Sequence, residues 1–156
     1  MSGRSNRLYL DCSVYGGAFD PEFEARTLPL FGQIRSGFYR LVVSSLVEQE
    51  VILAPPHVVK LYREMELTAE ALTVSTEVRE LQLAYLDHHI VGRGHFRDAQ
   101  HVALATVAEC RAIVSWNFRH IVHLDKIPLY NAVNRLLGYN DLAIHSPAEV
   151  LLYEDR

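Results

Sequence analysis

Four polar side chains, Asp11, Glu48, Asp98 and Asn117, mark where this 156-residue sequence could do chemistry. Asp11 ends an apolar run, Leu8 to Leu10. Burying an unpaired carboxylate is costly, so Asp11 must be solvated at a strand tip or neutralised by something specific. Glu48 falls in the first turn of a helix expected after a second apolar run, and Asp98 opens another helix. Asn117 follows a later apolar run, in SWNFRH. Carboxylates brought together would repel, and a hard divalent cation relieves that repulsion. Mg²⁺ or Mn²⁺ takes one or two carboxylates plus waters and substrate phosphate. Such ions activate water and stabilise charge on a phosphodiester under in-line attack.

Each position also has a structural reading. Ser45-Leu46-Val47-Glu48 matches a capping box, in which the glutamate reaches back to the N-cap amide. Asp98 in a first turn favours the helix dipole by roughly 0.3–1 kcal/mol. Asn117 suits a turn, where asparagine tolerates a left-handed backbone. Asp11 is the hardest to explain without a partner. Spacing alone leaves the metal site and the structural roles open.

The elements that must position these residues follow from apolar periodicity and turn signals. Strands are expected at Leu8–Asp11, Tyr39–Ser44, Ala71–Val74, Ala112–Trp116 and Leu142–His145. Asp20-Pro21 reads as an N-cap with proline in the first turn of a helix that runs to Ser36 and stops at Gly37. Further helices are expected over Ser45–Leu53, His57–Glu66, Ser75–His89, Phe96–Glu109 and Leu129–Leu137, with a last turn over Pro147–Leu152. Short apolar strands alternating with helices imply a parallel α/β sheet covered on both faces. Ligands of such sheets bind beyond the carboxyl ends of the strands, where Asp11, Ser44-Ser45 and Asn117 fall.

Length suits one domain over residues 1–156. Apolar residues make up 49% and charged residues 22%, the balance of a globular protein. No run of about 18 apolar residues provides a membrane span. The N-terminal MSGRSN has no apolar signal core, so a cytoplasmic location is expected. A net charge of −4 argues against coating nucleic acid by bulk charge, but not against a nuclease whose acidic pocket is screened by metal. Cys12 and Cys110 lack metal-ligand spacing and read as small buried residues.

The sequence resembles the PIN-domain family, whose bacterial members include VapC-type toxin ribonucleases. The resemblance rests on LYLDCSVYGG, SSLVEQEV, RDAQHVALATVAECRAIVSWNFRHIV and YNAVNRLLGYNDLAIHSPAEVL, nearly the whole chain. It implies a three-layer α/β/α domain with a small, mainly parallel sheet and a Mg²⁺- or Mn²⁺-binding acidic cluster. By the same resemblance Asp11, Glu48 and Asp98 match the family's first three acids and are metal ligands. By the same resemblance Ser13 orients Asp11 or a metal-bound water, and Ser115 helps to orient the water network. Where many members carry a fourth acid this chain has Asn117, which adds no negative charge. The implied reaction is metal-dependent hydrolysis of RNA that leaves a 5′-phosphate and a 3′-hydroxyl. The resemblance also implies a homodimer and, for a toxin, an antitoxin partner; the apolar residues around Val58–Met65 are a candidate contact.

Arg93 and Arg97 before Asp98, and Arg119 and His120 after Asn117, are the expected phosphate contacts. His120 and His123 are three apart, a spacing that can share zinc, but no third ligand stands in register. His101, three residues after Asp98, belongs at the rim of the same pocket or among its polar contacts. Tyr15, Tyr39, Tyr62, Tyr85 and Trp116 could stack on bases but fit core positions better. One competing reading is a PIN fold that has lost catalysis and binds RNA or protein, with Asn117 as its support. Another is a phosphotransferase with Asp11 as nucleophile. It would need a second acid where Ser13 stands, and Lys126 is its only lysine candidate.

Overall fold

The computed structural model describes residues 6–151. Five strands, β1 (Arg7–Leu10), β2 (Arg40–Ser44), β3 (Glu70–Leu72), β4 (Ala112–Val114) and β5 (Ala143–His145), form one parallel sheet in the order β3-β2-β1-β4-β5. Leu8 pairs with Leu41 on one side and Ala112 on the other, so β1 is central. Leu8, Tyr9, Leu10 and all of β4 are buried, as a sheet covered on both faces requires.

The helices are α1 (Cys12–Gly17), α2 (Glu24–Arg35), α3 (Ser45–Val51), α4 (Pro56–Glu66), α5 (Thr76–Asp87), α6 (Phe96–Val107), α7 (Lys126–Leu136) and α8 (Pro147–Leu151). They touch one another in two groups, α1 to α4 with α8, and α5 to α7. The sheet lies between these groups, which gives the three layers expected.

Several boundaries depart from those expected of the sequence, each for a local reason. Helix α1 has no signal in the local sequence, because two glycines in six residues disfavour a helix on propensity alone. Its Gly17 is demanded by packing. A Cβ there would lie 2.7 Å from Nε1 of Trp116. Asp20 caps a turn rather than α2: its carboxylate accepts from the Glu22 amide at 2.8 Å, and α2 begins only at Glu24. Gly37 stops α2 in the left-handed conformation, φ 86°, as expected. Helix α7 starts three residues early at Lys126, since Pro128 is tolerated in a first turn. The expected end of the last turn, Leu152, lies outside the described residues.

The N-cap of α3 is Ser44, not Ser45; the Ser44 Oγ accepts from the Val47 amide at 3.2 Å. That one-residue shift removes Glu48 from the capping-box position. The candidate partner contact on α4 is also corrected. Val58, Leu61, Tyr62 and Met65 are buried in the chain's own core, so this apolar stripe is already used. Tyr15, Tyr39, Tyr62 and Tyr85 are core residues. Among the described residues no helix is long and apolar enough to cross a membrane.

Trp116, the sole tryptophan, stacks on Phe23 at 4.3 Å and donates to the Thr27 hydroxyl at 2.8 Å. Gly17→Ala must displace this ring, so a loss of about 1–3 kcal/mol is expected. Thermal melting and a shifted tryptophan emission test this together. Unchanged melting would mean that the ring moves freely.

Candidate functional site

The chain runs outward from β1 through β2 to β3, then returns to β4 on the other side of β1. The strand order therefore reverses between β1 and β4, and a ligand crevice is expected beyond their carboxyl ends. Asp11 follows β1 there, and its amide extends the ladder to the Val114 carbonyl at 3.3 Å. Its carboxylate is buried, 5% exposed, and both oxygens accept hydroxyls: Ser13 on Oδ1 at 2.5 Å and Ser115 on Oδ2 at 2.6 Å. The Ser115 oxygen accepts the Asn117 amide, and the Ser13 oxygen accepts the Trp116 amide, each at 2.9 Å. The two serines therefore clamp Asp11 to the loop after β4.

The acid that α3 turns toward this pocket is Glu50, not Glu48. Glu48 is 46% exposed and pairs with Arg63 of α4 at 2.8 Å, and the same guanidinium nitrogen holds Glu66 at 2.9 Å. Glu50 lies four residues after Leu46 and three after Val47, both buried, and so shares the inward face. Its Oε1 is 2.6 Å from Nε2 of His101 on α6. His101 is 2% exposed, and its Nδ1 lies 2.7 Å from the Tyr9 hydroxyl, which in turn is 2.8 Å from the Ser44 Oγ. A polar chain, Ser44–Tyr9–His101–Glu50, thus links β2, β1 and α6 to α3 and fixes the carboxylate. The expectation that His101 makes polar contacts is met, but at the centre of the site. The signals that could have found Glu50 were the inward register of α3 and the preference of Ser44 for the cap.

Burial pushes the Asp11 carboxyl above its ordinary value, and the charge of Glu50 adds to this; His101, Ser115 and Ser13 oppose it. Burial acts on Glu50 in the same direction. There the hydrogen bond and charge of His101, with Arg97 and Cys12, more than offset it and hold the carboxyl below its ordinary value. Cys12 lies among these charges. Burial, then Asp11, Glu50 and Asp98, push its thiol far up, so it is neutral and not a nucleophile. Among the described residues neither cysteine is in a disulfide.

Asp98, 22% exposed in the first turn of α6, lies 3.8 Å from Nδ1 of His95. Asn117 is occupied structurally: its side-chain oxygen accepts the amides of Arg119 at 3.1 Å and His120 at 3.0 Å. That is the turn-forming role, and it leaves this oxygen less available than a fourth acid would be. Arg119 is exposed beside it, and Arg93 is exposed with Asp87 at 3.7 Å. Arg97 lies over the Phe96 ring, 5.3 Å from its centroid, while its charge acts on Glu50. His120 stacks on His95 at 3.8 Å rather than standing free. Lys126 holds the Ile90 carbonyl at 2.6 Å, so the phosphotransferase reading loses its lysine.

No protein-family model matches this sequence. No curated protein matches it either. Solved structures do. The DNA-bound VapBC of Salmonella typhimurium aligns with TM-score 0.58 at 17% identity, over 91% of this chain and 98% of its own. FitAcB of Neisseria gonorrhoeae gives 0.58 at 14% over 90% and 97%. VapBC2 of Rickettsia felis, bound to a promoter DNA fragment, gives 0.57 at 10% over 90% and 98%. The chain has the PIN-domain fold. At such identities the likeness fixes the architecture, and the chemistry must be argued from the pocket.

The residues present suit a hard divalent cation. Asp11, Glu50 and Asp98 supply oxygen donors whose charges act on one another or on the same Cys12 thiol. Among the described residues, the side-chain partners of the Asp11 carboxylate are the two serine hydroxyls and not a lysine or arginine. Neutral hydroxyls orient a carboxylate without cancelling its charge, as the partners of metal-ligating carboxylates do.

Proposed function

We propose that this protein is a metal-dependent ribonuclease and the toxin of a toxin–antitoxin pair. The observation that carries this reading is the placement of Asp11 and Glu50 at the strand-order reversal, with Asp98 beside them. Asp11, Glu50 and Asp98 would hold Mg²⁺ or Mn²⁺, with Glu50 in the place assigned to Glu48 from the sequence. When bound, the ion supplies charge neutralisation and activates water for attack on the phosphodiester. Ser13 and Ser115 keep both Asp11 oxygens in a fixed plane, and His101 keeps Glu50 ionised and oriented. Arg93, Arg97 and Arg119 line the approach with positive charge for the RNA backbone, and His120 closes its inner side. The VapBC and FitAB likeness supports an antitoxin partner, and the family resemblance a homodimer.

Incubating purified protein with end-labelled RNA tests the reading. Internal cuts with 5′-phosphate ends are expected with Mn²⁺ or Mg²⁺, and none with EDTA. RNA left intact at every metal concentration, with tight RNA binding, would instead establish the second reading. That reading is a catalytically degenerate binding module, favoured by the structural use of the Asn117 oxygen.

A further inference from the structure

Beside the carboxylate set lies a cluster of different chemistry. One ligand atom each from His95, Asp98 and His120 lie within 4.8 Å of one another. Two of the three, His95 and Asp98, are i,i+3 neighbours at the start of α6, and His120 comes from elsewhere in the chain. His95 ends the 3₁₀ turn Arg93–His95, Asp98 is in the first turn of α6, and His120 follows β4. The two imidazole rings stack with centroids 3.8 Å apart and planes at 27°, which brings their edges to one side.

His120 is held in this position independently of any ligand. Its amide donates to the Asn117 oxygen at 3.0 Å, and its carbonyl accepts the Tyr130 hydroxyl at 2.7 Å. Yet Nδ1 of His120 is buried and has no hydrogen-bond partner among the described residues. A buried ring nitrogen without a partner costs free energy unless something occupies it. His95, by contrast, is half exposed and free to adjust.

We propose that His95, Asp98 and His120 form a binding site for Zn²⁺. Two imidazole nitrogens and one carboxylate oxygen are the donor set of a three-ligand zinc site with one open position. Imidazole suits Zn²⁺, whereas Mg²⁺ prefers oxygen donors throughout. Ligands about 2.1 Å from a tetrahedral ion lie roughly 3.4 Å apart, so the cluster must close by about an ångström. Rotation of the exposed His95 supplies that movement. The pairing of His120 with His123 suggested by spacing is replaced by His95, which only the fold brings near. Asp98 is shared with the carboxylate set, so bound Zn²⁺ competes there with the ion of the proposed ribonuclease; that consequence alone rests on the ribonuclease reading.

Calorimetric titration of ZnCl₂ into metal-free full-length protein tests the site. One Zn²⁺ per chain is expected. His95→Ala and His120→Ala, each confirmed folded by circular dichroism, should weaken binding at least about tenfold. His123→Ala, outside the cluster, should leave it within about twofold. No binding to wild type, unchanged binding in either cluster-histidine variant, or loss in His123→Ala overturns the proposal. Co²⁺ probes the donor set in wild type without any variant. Intense visible bands of a low-coordinate, nitrogen-ligated ion are expected, and the faint spectrum of an all-oxygen octahedral ion overturns the site. Failure to cut RNA would leave these binding results standing.

Discussion

Asp11→Asn is expected to abolish Mn²⁺-dependent RNA cleavage and, at the same time, to raise the melting temperature of the metal-free protein. The loss follows from removing the charge that two serines hold at the strand-order reversal. Altering a residue that merely supports a ligand typically costs 10–100-fold, so losing a ligand should exceed roughly 100-fold. The gain in stability follows from burial. The folded state holds the Asp11 proton more tightly than the unfolded state does, because burial disfavours the charged form. Between the unfolded and the raised folded value the native state binds more protons, so stability falls as pH rises through that window.

Asparagine cannot ionise and escapes this cost, while the hydroxyls of Ser13 and Ser115 can turn to meet its amide. Its advantage should be absent below about pH 4, grow with pH, and level off above the folded value of Asp11. A gain of about 1 kcal/mol, or ~2–4 °C, is the size expected when a functional charge is removed from a buried site. Melting in EDTA across pH measures it. Added Mn²⁺ should stabilise wild type by mass action and leave the variant unmoved. A variant that melts lower than wild type at neutral pH, or still cuts RNA, would refute the assignment of Asp11.

The sheet was legible in the sequence because its signals are local. Leu8–Leu10 and Ala112–Val114 are short apolar runs that only a covered parallel strand explains. Asp11 was legible for the same reason, since a carboxylate at the end of a buried strand has few other uses. Helix α1 was not, because the need for Gly17 comes from Trp116, about a hundred residues away in sequence and only 2.7 Å from the glycine's missing Cβ. Glu50 was missed because two adjacent serines compete to cap α3, and a shift of one residue turns each helix position by about 100°. His101 was named, but its partners lie on β1 and α3 and appear only when α6 packs across the sheet. Local pattern therefore identified the elements, while the register of one helix decided which acid entered the pocket.

That register gives the second large effect, a contrast between two glutamates two positions apart. Glu50→Gln should lower Mn²⁺-dependent cleavage by more than about 100-fold, as the loss of a ligand does, and Glu48→Gln should leave it within roughly twofold. Stability should separate them as well, with a sign opposite to Asp11. Burial raises Glu50, but His101, Arg97 and Cys12 overcome it and hold the folded value below the unfolded one. Its contribution is therefore present above about pH 4.3 and is lost as pH falls through the folded value. Glu50→Gln should destabilise by about 1 kcal/mol at neutral pH, screened on its open side, and by little in acid. Glu48→Gln surrenders only an exposed pair with Arg63 and should cost at most about 0.5 kcal/mol. Equal cleavage by the two variants would mean that α3 does not present Glu50 to the reaction. Two carboxylates of one pocket, each changed to its amide, should therefore melt in opposite directions from wild type, because Asp11 is buried against hydroxyls and Glu50 against a histidine.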